Sequence, residues 1–474
     1  MSTATNAASL LINNIVDRAA NFVLYLLVGR YLGTFVFGQM TLALTLFYLF
    51  NIFSMLGLKK VIIRAVASDK TTTDQYLLNG SVVVLLSSTL AVLLQWVFTQ
   101  VMGYSADTRN IIFLFSLGLI PLSLTIICEA VFQAWERMHY ITIANMPINI
   151  LKIGLAWLLF QLEYGIIPVA IIWLTGRCII VCIEWWLLVK FISKPQPIIN
   201  LRFTIEMLKS ARNFLGIDGL NAARNSLNTL ILSKLASETE VGLLNSALQF
   251  TIPVILIITN IGGSIFPVLC KEVARGVKYF KQVTENTVEM LLAFALPASV
   301  GLFFLAGPAL EFLYGEGFEE ASGALQIIAW TLTLRAITQI LGLTLLANKK
   351  ENIALRMTII MALAQLILGI VLTNLFGLKG AAWSILILWV INFLLHYFAN
   401  VRYFFRIELV KLFWKPTIAT LVMAVYLFIA QEQAFLPAVI TAAIIYASAL
   451  FGIATWSAGG LQQLKKKYYK LWLK

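Results

Sequence analysis

Five cations stand where apolar sequence should hold none: Arg18, Lys152, Arg177, Arg224 and Arg335. Each lies about ten to thirteen residues from the end of an apolar stretch long enough to cross a bilayer, hence near mid-depth. An ionised side chain there costs about 2.5–3.5 kcal/mol on the insertion scale, so five facing lipid would cost on the order of 15 kcal/mol. They must face protein, water or one another. Guanidinium and ammonium groups gathered around water recognise an anion, most simply a phosphate or diphosphate. Asn14 and Asn21 flank Arg18 in the polar strip Asn13-Asn14-Ile15-Val16-Asp17-Arg18-Ala19-Ala20-Asn21, and Asn221 precedes Arg224 in Asp218-Gly219-Leu220-Asn221-Ala222-Ala223-Arg224. Such strips suit a hydrated wall that contacts sugars or phosphates.

The same stretches hold five acids, Asp17, Glu129, Glu184, Asp218 and Glu289. All but Asp17 fall in the cytoplasmic half of their predicted helices. They are candidate sites for a coupling H+ or Na+. Arg177 and Glu184 are two turns apart on one helix face. A set of structural ion pairs is the plainer reading of any one of these residues, although five cations from five helices exceed what holding helices together needs. No other cofactor is expected. Cys128, Cys178, Cys182 and Cys270 lie in or beside apolar runs, so no disulfide framework is expected. Cys178 and Cys182 share a face at i, i+4 and read as small apolar residues rather than a metal pair. His139 reads as surface and His396 as core, with no metal site. No phosphate loop, nucleotide fingerprint or Ser-His-Asp set stands out, and no catalytic residue is assigned.

The elements that must position these groups follow from composition. Of 474 residues, 60% are hydrophobic and 12% charged, against roughly 25% charged in a soluble domain. Mean hydropathy is +0.88. A soluble enzyme and a disordered chain are both excluded, which leaves an all-α polytopic membrane protein. Runs of about 20 apolar residues predict about fourteen spanning helices. They lie near 9–32, 36–57, 76–100, 110–133, 141–161, 166–189, 213–233, 241–269, 286–306, 322–347, 354–374, 380–401, 415–431 and 435–457. The first lacks a basic leader and a cleavage site and reads as a retained helix. The net charge of +13 would suggest nucleic acid in a soluble protein. Here it reads as topology. With the N-terminus in the cytoplasm, only Arg30, Arg109, Lys234 and Lys379 fall outside, and the cations other than these and the five within spans are cytoplasmic. Both termini are therefore expected in the cytoplasm, and no nucleic-acid partner is expected.

The polar, proline-bearing Ser193-Lys194-Pro195-Gln196-Pro197 reads as a linker. Beyond it, Ser233-Lys234-Leu235-Ala236-Ser237 repeats the pattern of Gly29-Arg30-Tyr31-Leu32-Gly33. The same offset pairs Phe37-Gly38 with Val241-Gly242 and Asn21 with Asn225. Two pseudo-symmetric six-helix bundles are expected, at 1–195 and 196–409, with two extra helices at 410–460 and a basic interfacial tail at 461–474 on anionic lipid headgroups. Chance similarity between apolar helices with basic flanks is the competing account of the repeat. Two such bundles would leave a cavity between them. Pro253, Gly262, Gly263, Pro267 and Pro297 interrupt the eighth and ninth helices, where they could permit bending. External connections are short, and the longest, near 307–321, is acidic through Glu311, Glu316, Glu319 and Glu320.

These residues resemble a family. Asn14-Ile15-Val16-Asp17-Arg18, Val28-Gly29-Arg30-Tyr31-Leu32-Gly33, Phe37-Gly38, Gly57 through Arg64, and Leu313-Tyr314-Gly315 with Phe318 and Ala321 look like the polysaccharide transporters, the Wzx-type flippases. These belong to the multidrug/oligosaccharidyl-lipid/polysaccharide exporter superfamily. The resemblance covers the whole length, with loose motifs. It implies an inner-membrane protein, not an enzyme. Such a protein moves an undecaprenyl-diphosphate-linked oligosaccharide, an O-antigen or exopolysaccharide repeat unit, from the cytoplasmic to the outer leaflet. It would do so by alternating access through a cationic central cavity. By position, Arg18 and Arg224 would lead the diphosphate contacts. The implied partners are that polyprenyl-linked glycan, membrane lipids and other polysaccharide-assembly proteins. A lipid II-type flippase or a small-molecule exporter of the superfamily is the alternative, although an arginine-rich cavity disfavours cationic drugs. A membrane glycan polymerase or ligase would have to use the acidic loop, through Glu316 and Glu319.

Overall fold

Hydrocarbon offers no water to a backbone amide, so a spanning segment must satisfy its N–H and C=O groups internally. The chain meets that constraint with helices alone. The computed structural model describes residues 3–193, 199–430 and 433–458, apart from the side chains at 3–8, 10, 11, 213, 217 and 221. Residues 194–197 of the expected linker and the basic tail at 461–474 lie outside the described residues. Among the described residues the elements are α1 (Thr3–Met55), α2 (Leu58–Ser68), α3 (Thr73–Val101), α4 (Ala106–Ser116), α5 (Leu119–Ala134), α6 (His139–Gln161), α7 (Ile166–Phe191), α8 (Leu201–Leu235), α9 (Glu238–Arg275), α10 (Val277–Phe304), α11 (Ala306–Tyr314), α12 (Ser322–Ala347), α13 (Glu351–Tyr403), α14 (Leu409–Ile429) and α15 (Phe435–Ala458). Two short 3-10 turns accompany them and no strand does. This is an all-α, multi-pass membrane fold.

Eleven described segments are long and apolar enough to cross a membrane, fewer than the fourteen expected. The physical reasons are local. α1 and α13 each carry two expected spans, run together through a broken turn at Gly33 (φ 75°) and Gly377 (φ 53°). Only glycine enters that left-handed region without strain, so the chain bends there and resumes its helix. α8 is continuous over the expected seventh span, but its polar strip keeps it below spanning hydropathy, and it starts a dozen residues earlier than expected. The acidic 307–321 segment is not an open loop: it holds α11 and a 3-10 turn at Glu319–Ala321.

The chain divides into two compact units, Met1–Gly242 and Leu243–Lys474. In the first, α1 packs against α3, α4, α6 and α8. One of its cores gathers Leu58, Ile62 and Val66 from α2, Ile127 and Phe132 from α5, Leu188 from α7 and Ala211 from α8. In the second, α12 packs against α10 and α13, and α14 joins α10 to α15. Its main core holds Leu291 and Leu292 of α10, Ile340 and Leu341 of α12 and Leu412 of α14. Large apolar side chains such as Leu86, Leu93, Ile367, Leu375 and Ile440 stand exposed. In water that would be a liability; in a bilayer it is the surface that meets lipid.

One contact in the first unit is closer than any side chain allows. A Cβ on Gly38 would overlap the carbonyl of Glu238, and one on Gly242 would overlap the carbonyl of Thr34. These are the two glycines that the sequence offset pairs. Overpacking such a site costs about 1–3 kcal/mol. Gly38→Ala should therefore lower the melting temperature of the detergent-solubilised protein. Gly154→Ala, with nothing within 4 Å of its Cβ, should not. Equal melting of the two variants would contradict the close approach.

Candidate functional site

The polar residues of the first unit gather in two places. The outer one lies between α1 and α6. Asn21 and Asn149 each donate an amide hydrogen to Asp17, both at 3.3 Å. Lys152 is 6% exposed and its Nζ donates to Oδ1 of Asn149 at 2.9 Å and of Asn21 at 3.4 Å. A buried ammonium thus has oxygen partners from both helices, and the carboxylate of Asp17 balances it through the two amides. Arg18, the next residue, is on an exposed face of α1 with Asn14 one turn before it. Among the described residues Arg18 makes no ion pair. Arg177 on α7 is half-buried, with its guanidinium 5.2 Å from the centre of the Trp173 ring.

The inner place lies among α2, α5, α6 and α7. Lys59 at the start of α2 pairs with Glu129 of α5 at 3.0 Å. Glu184 of α7 is fully buried and accepts from the amide of Asn145 of α6 at 3.2 Å. Beside Lys59, Lys60 pairs with Asp218 of α8 at 2.7 Å. Arg224 is exposed on α8, six residues beyond Asp218. The side chain of Asn221 lies outside the described residues. In the second unit Arg335 stands 4.0 Å over the ring of Trp389, and Glu289 pairs with Lys415 at 2.8 Å.

The structure brings Asp17, Asn21 and Lys152 together as one network. It does not join Arg177 to Glu184: the arginine lies over an indole and the acid is held by an amide. Glu129, Asp218 and Glu289 are each answered by a lysine that the sequence assigns to topology. The neighbours that charge counting passes over are neutral, Asn145 and Asn149. Their signal was present, because Asn145, Asn149 and Lys152 fall at i, i+4 and i+7, one face of one helix. The two tryptophans under Arg177 and Arg335 had a weaker signal. Trp173 is one turn from its arginine, whereas Trp389 comes from another helix.

Comparison with known proteins gives a consistent picture. The family model described as polysaccharide biosynthesis protein matches residues 3–273. The probable low-salt glycan biosynthesis flippase Agl15 of Haloferax volcanii is 22% identical over 438 residues, covering 90% of each chain. The capsular polysaccharide biosynthesis protein CapF of Staphylococcus aureus is 23% identical over 403 residues, covering 82% of this chain and 97% of its own. Among solved structures, a lipid II flippase MurJ in an inward closed conformation superposes with a TM-score of 0.74. It is 19% identical and covers 94% of this chain and 98% of its own.

Removing the buried ammonium should expose how much the outer network depends on it. Lys152→Met leaves the oxygens of Asn21 and Asn149 without their donor, a cost of about 1–3 kcal/mol. Lys411→Ala breaks an exposed pair with Glu408 and should change stability by less than about 0.5 kcal/mol. Denaturation of both variants in one detergent reads the difference; equal stabilities would contradict a supporting role for Lys152.

Proposed function

The chain belongs to the polysaccharide biosynthesis protein family, and we propose that it is a flippase for a lipid-linked glycan. The substrate class is a polyprenyl-diphosphate-linked oligosaccharide, moved from the cytoplasmic to the outer leaflet of the inner membrane by alternating access. The observation that carries this reading is the pair of exposed arginines, Arg18 and Arg224, on the polar strips of α1 and α8. Hydrocarbon is a prohibitive neighbour for an exposed guanidinium, so these faces are hydrated. A hydrated arginine pair in a polysaccharide-assembly protein suits a diphosphate, which accepts bidentate hydrogen bonds from the planar guanidinium.

The division of labour follows from desolvation. A diphosphate and its sugars lose their hydration in bare hydrocarbon and need replacement partners. Arg18 and Arg224 bind the diphosphate, with Lys152 and Arg177 adding positive potential. Asn14, Asn21 and Asn221 offer hydrogen bonds to hydroxyls. Arg335, in the second unit, is a further cation of the same kind. The polyprenyl tail stays in lipid throughout. Counting α1 and α13 as two crossings each and adding α8 gives fourteen crossings, with both termini in the cytoplasm. We retain the organisation into six-helix bundles at 1–195 and 196–409, with two further helices at 410–460. Coupling to H+ or Na+ at one of Asp17, Glu129, Glu184, Asp218 or Glu289 supplies direction. Other polysaccharide-assembly proteins deliver and consume the substrate. The chain performs no bond chemistry. A lipid II-type substrate is the second reading, favoured by the whole-chain fold match to a lipid II flippase.

A charge-assisted hydrogen bond is worth about 1.5–3 kcal/mol, so losing one lowers headgroup affinity about tenfold to a hundredfold. Arg18→Ala or Arg224→Ala should abolish surface glycan while the protein still inserts, as read by membrane fractionation and glycan staining. Normal surface glycan in both variants would overturn the roles given to these arginines.

A further inference from the structure

Glu184 is a carboxyl group with half of its hydrogen-bonding capacity unmet. It is fully buried, its Oε1 accepts from Asn145 at 3.2 Å, and its Oε2 has no partner among the described residues. An ionised carboxylate accepts at both oxygens, and leaving one bare in a dry interior is expensive. The surrounding charges make it worse. Glu129 acts on it from α5, while Lys59, which also acts on Glu184, is spent on Glu129 at 3.0 Å. Arg177 acts from two turns back on the same helix, over its indole. The thiol of Cys128 on α5 and the amide of Asn145 on α6 complete the surroundings. Among the described residues α1 and α4, also packed on α7, add no charge to it.

Two acids and one lysine carry a net negative charge if both acids are ionised, and none if one keeps its proton. We propose that Glu184 is a proton-binding site, loaded when Lys59 holds Glu129 and unloaded when Lys59 is free to turn to it. The proton has a route. The side chains of Lys59 and Glu129 are 37% and 19% exposed, so the cluster opens to water on the side where Glu184 does not. On unloading, the O–H bond of Glu184 breaks, the electron pair stays on the carboxylate, and the proton leaves to water past Glu129.

The site is also placed to be felt elsewhere. Lys59 begins α2, and its neighbour Lys60 grips Asp218 of α8 at 2.7 Å. Gly57, just before them, approaches α8 so closely that a Cβ would lie 2.7 Å from the nitrogen of Leu215 and 2.8 Å from the carbonyl oxygen of Ala211. One short helix therefore joins the proton site to the helix that carries Arg224. This deepens the reading of the chain as an ion-coupled flippase and rests on it for its use, naming the ion as H+ and its residue as Glu184.

Infrared difference spectroscopy of the purified full chain, titrated through pH, tests the site without any glycan. The carbonyl stretch of a protonated, buried carboxylic acid should be present at neutral pH, disappear in Glu184→Gln, and grow in Lys59→Met, where two acids share no cation. In Glu129→Gln the band should be lost at lower pH than in the unsubstituted protein, because a repelling charge is gone and Lys59 is released. A band that survives Glu184→Gln intact overturns the proposal. If that variant does not fold, a Glu129→Gln band with an unshifted titration overturns it instead. The band stands apart from the flippase reading: its presence with no glycan movement would leave the site and remove the use. Glycan export by Glu184→Gln with an unchanged pH profile would overturn the coupling role.

Discussion

A charge placed in hydrocarbon must find its compensation inside the protein, and most of the features described above answer to that constraint. It explains why Lys152 sits under three polar side chains from two helices. It explains why Glu129, Asp218 and Glu289 each meet a lysine, and why Arg177 and Arg335 lie over indole rings, whose negative faces attract a cation at little cost in hydration. Structural partners of this kind serve most of the buried charge. The exposed guanidinium of Arg18, on the same helix turn as the tightly satisfied Asp17, is of another kind. The helix carries a whole strip of polarity there.

Much of the fold was legible because hydropathy and charge obey one rule. Apolar runs of spanning length marked the helices. What escaped was continuity. Gly33 and Gly377 look like ordinary loop glycines, yet α1 and α13 pass through them, because a single residue at positive φ bends a helix without ending it. α8 was expected as the seventh span from residue 213, yet its polar strip keeps it below spanning hydropathy. The site was legible in its ionisable members and illegible in its pairings. Sequence distance cannot report that Lys59 reaches Glu129 or that Lys415 reaches Glu289, since packing of separate helices decides both. The neutral members, Asn145 and Asn149, were overlooked because an amide costs less to bury than a charge and so draws less notice.

The close approach of Gly38 and Gly242 links the two observations. Residues that an internal offset pairs are in contact across the first unit. That contact lies eight residues along the chain from Arg30 and from Lys234. Elsewhere in the same unit the paired lysines of α2 hold α5 and α8. A backbone contact in one place and ion pairs in the other give the unit two seams of unequal chemistry.

The central claim is that this chain carries the headgroup of a lipid-linked glycan across a membrane. The most direct measurement reconstitutes the purified protein with a polyprenyl-diphosphate-linked oligosaccharide in sealed vesicles and follows the fraction of glycan open to a membrane-impermeant lectin. The account predicts that this fraction moves between leaflets faster than in protein-free vesicles. Folded, inserted protein with no increase over the protein-free rate would contradict it.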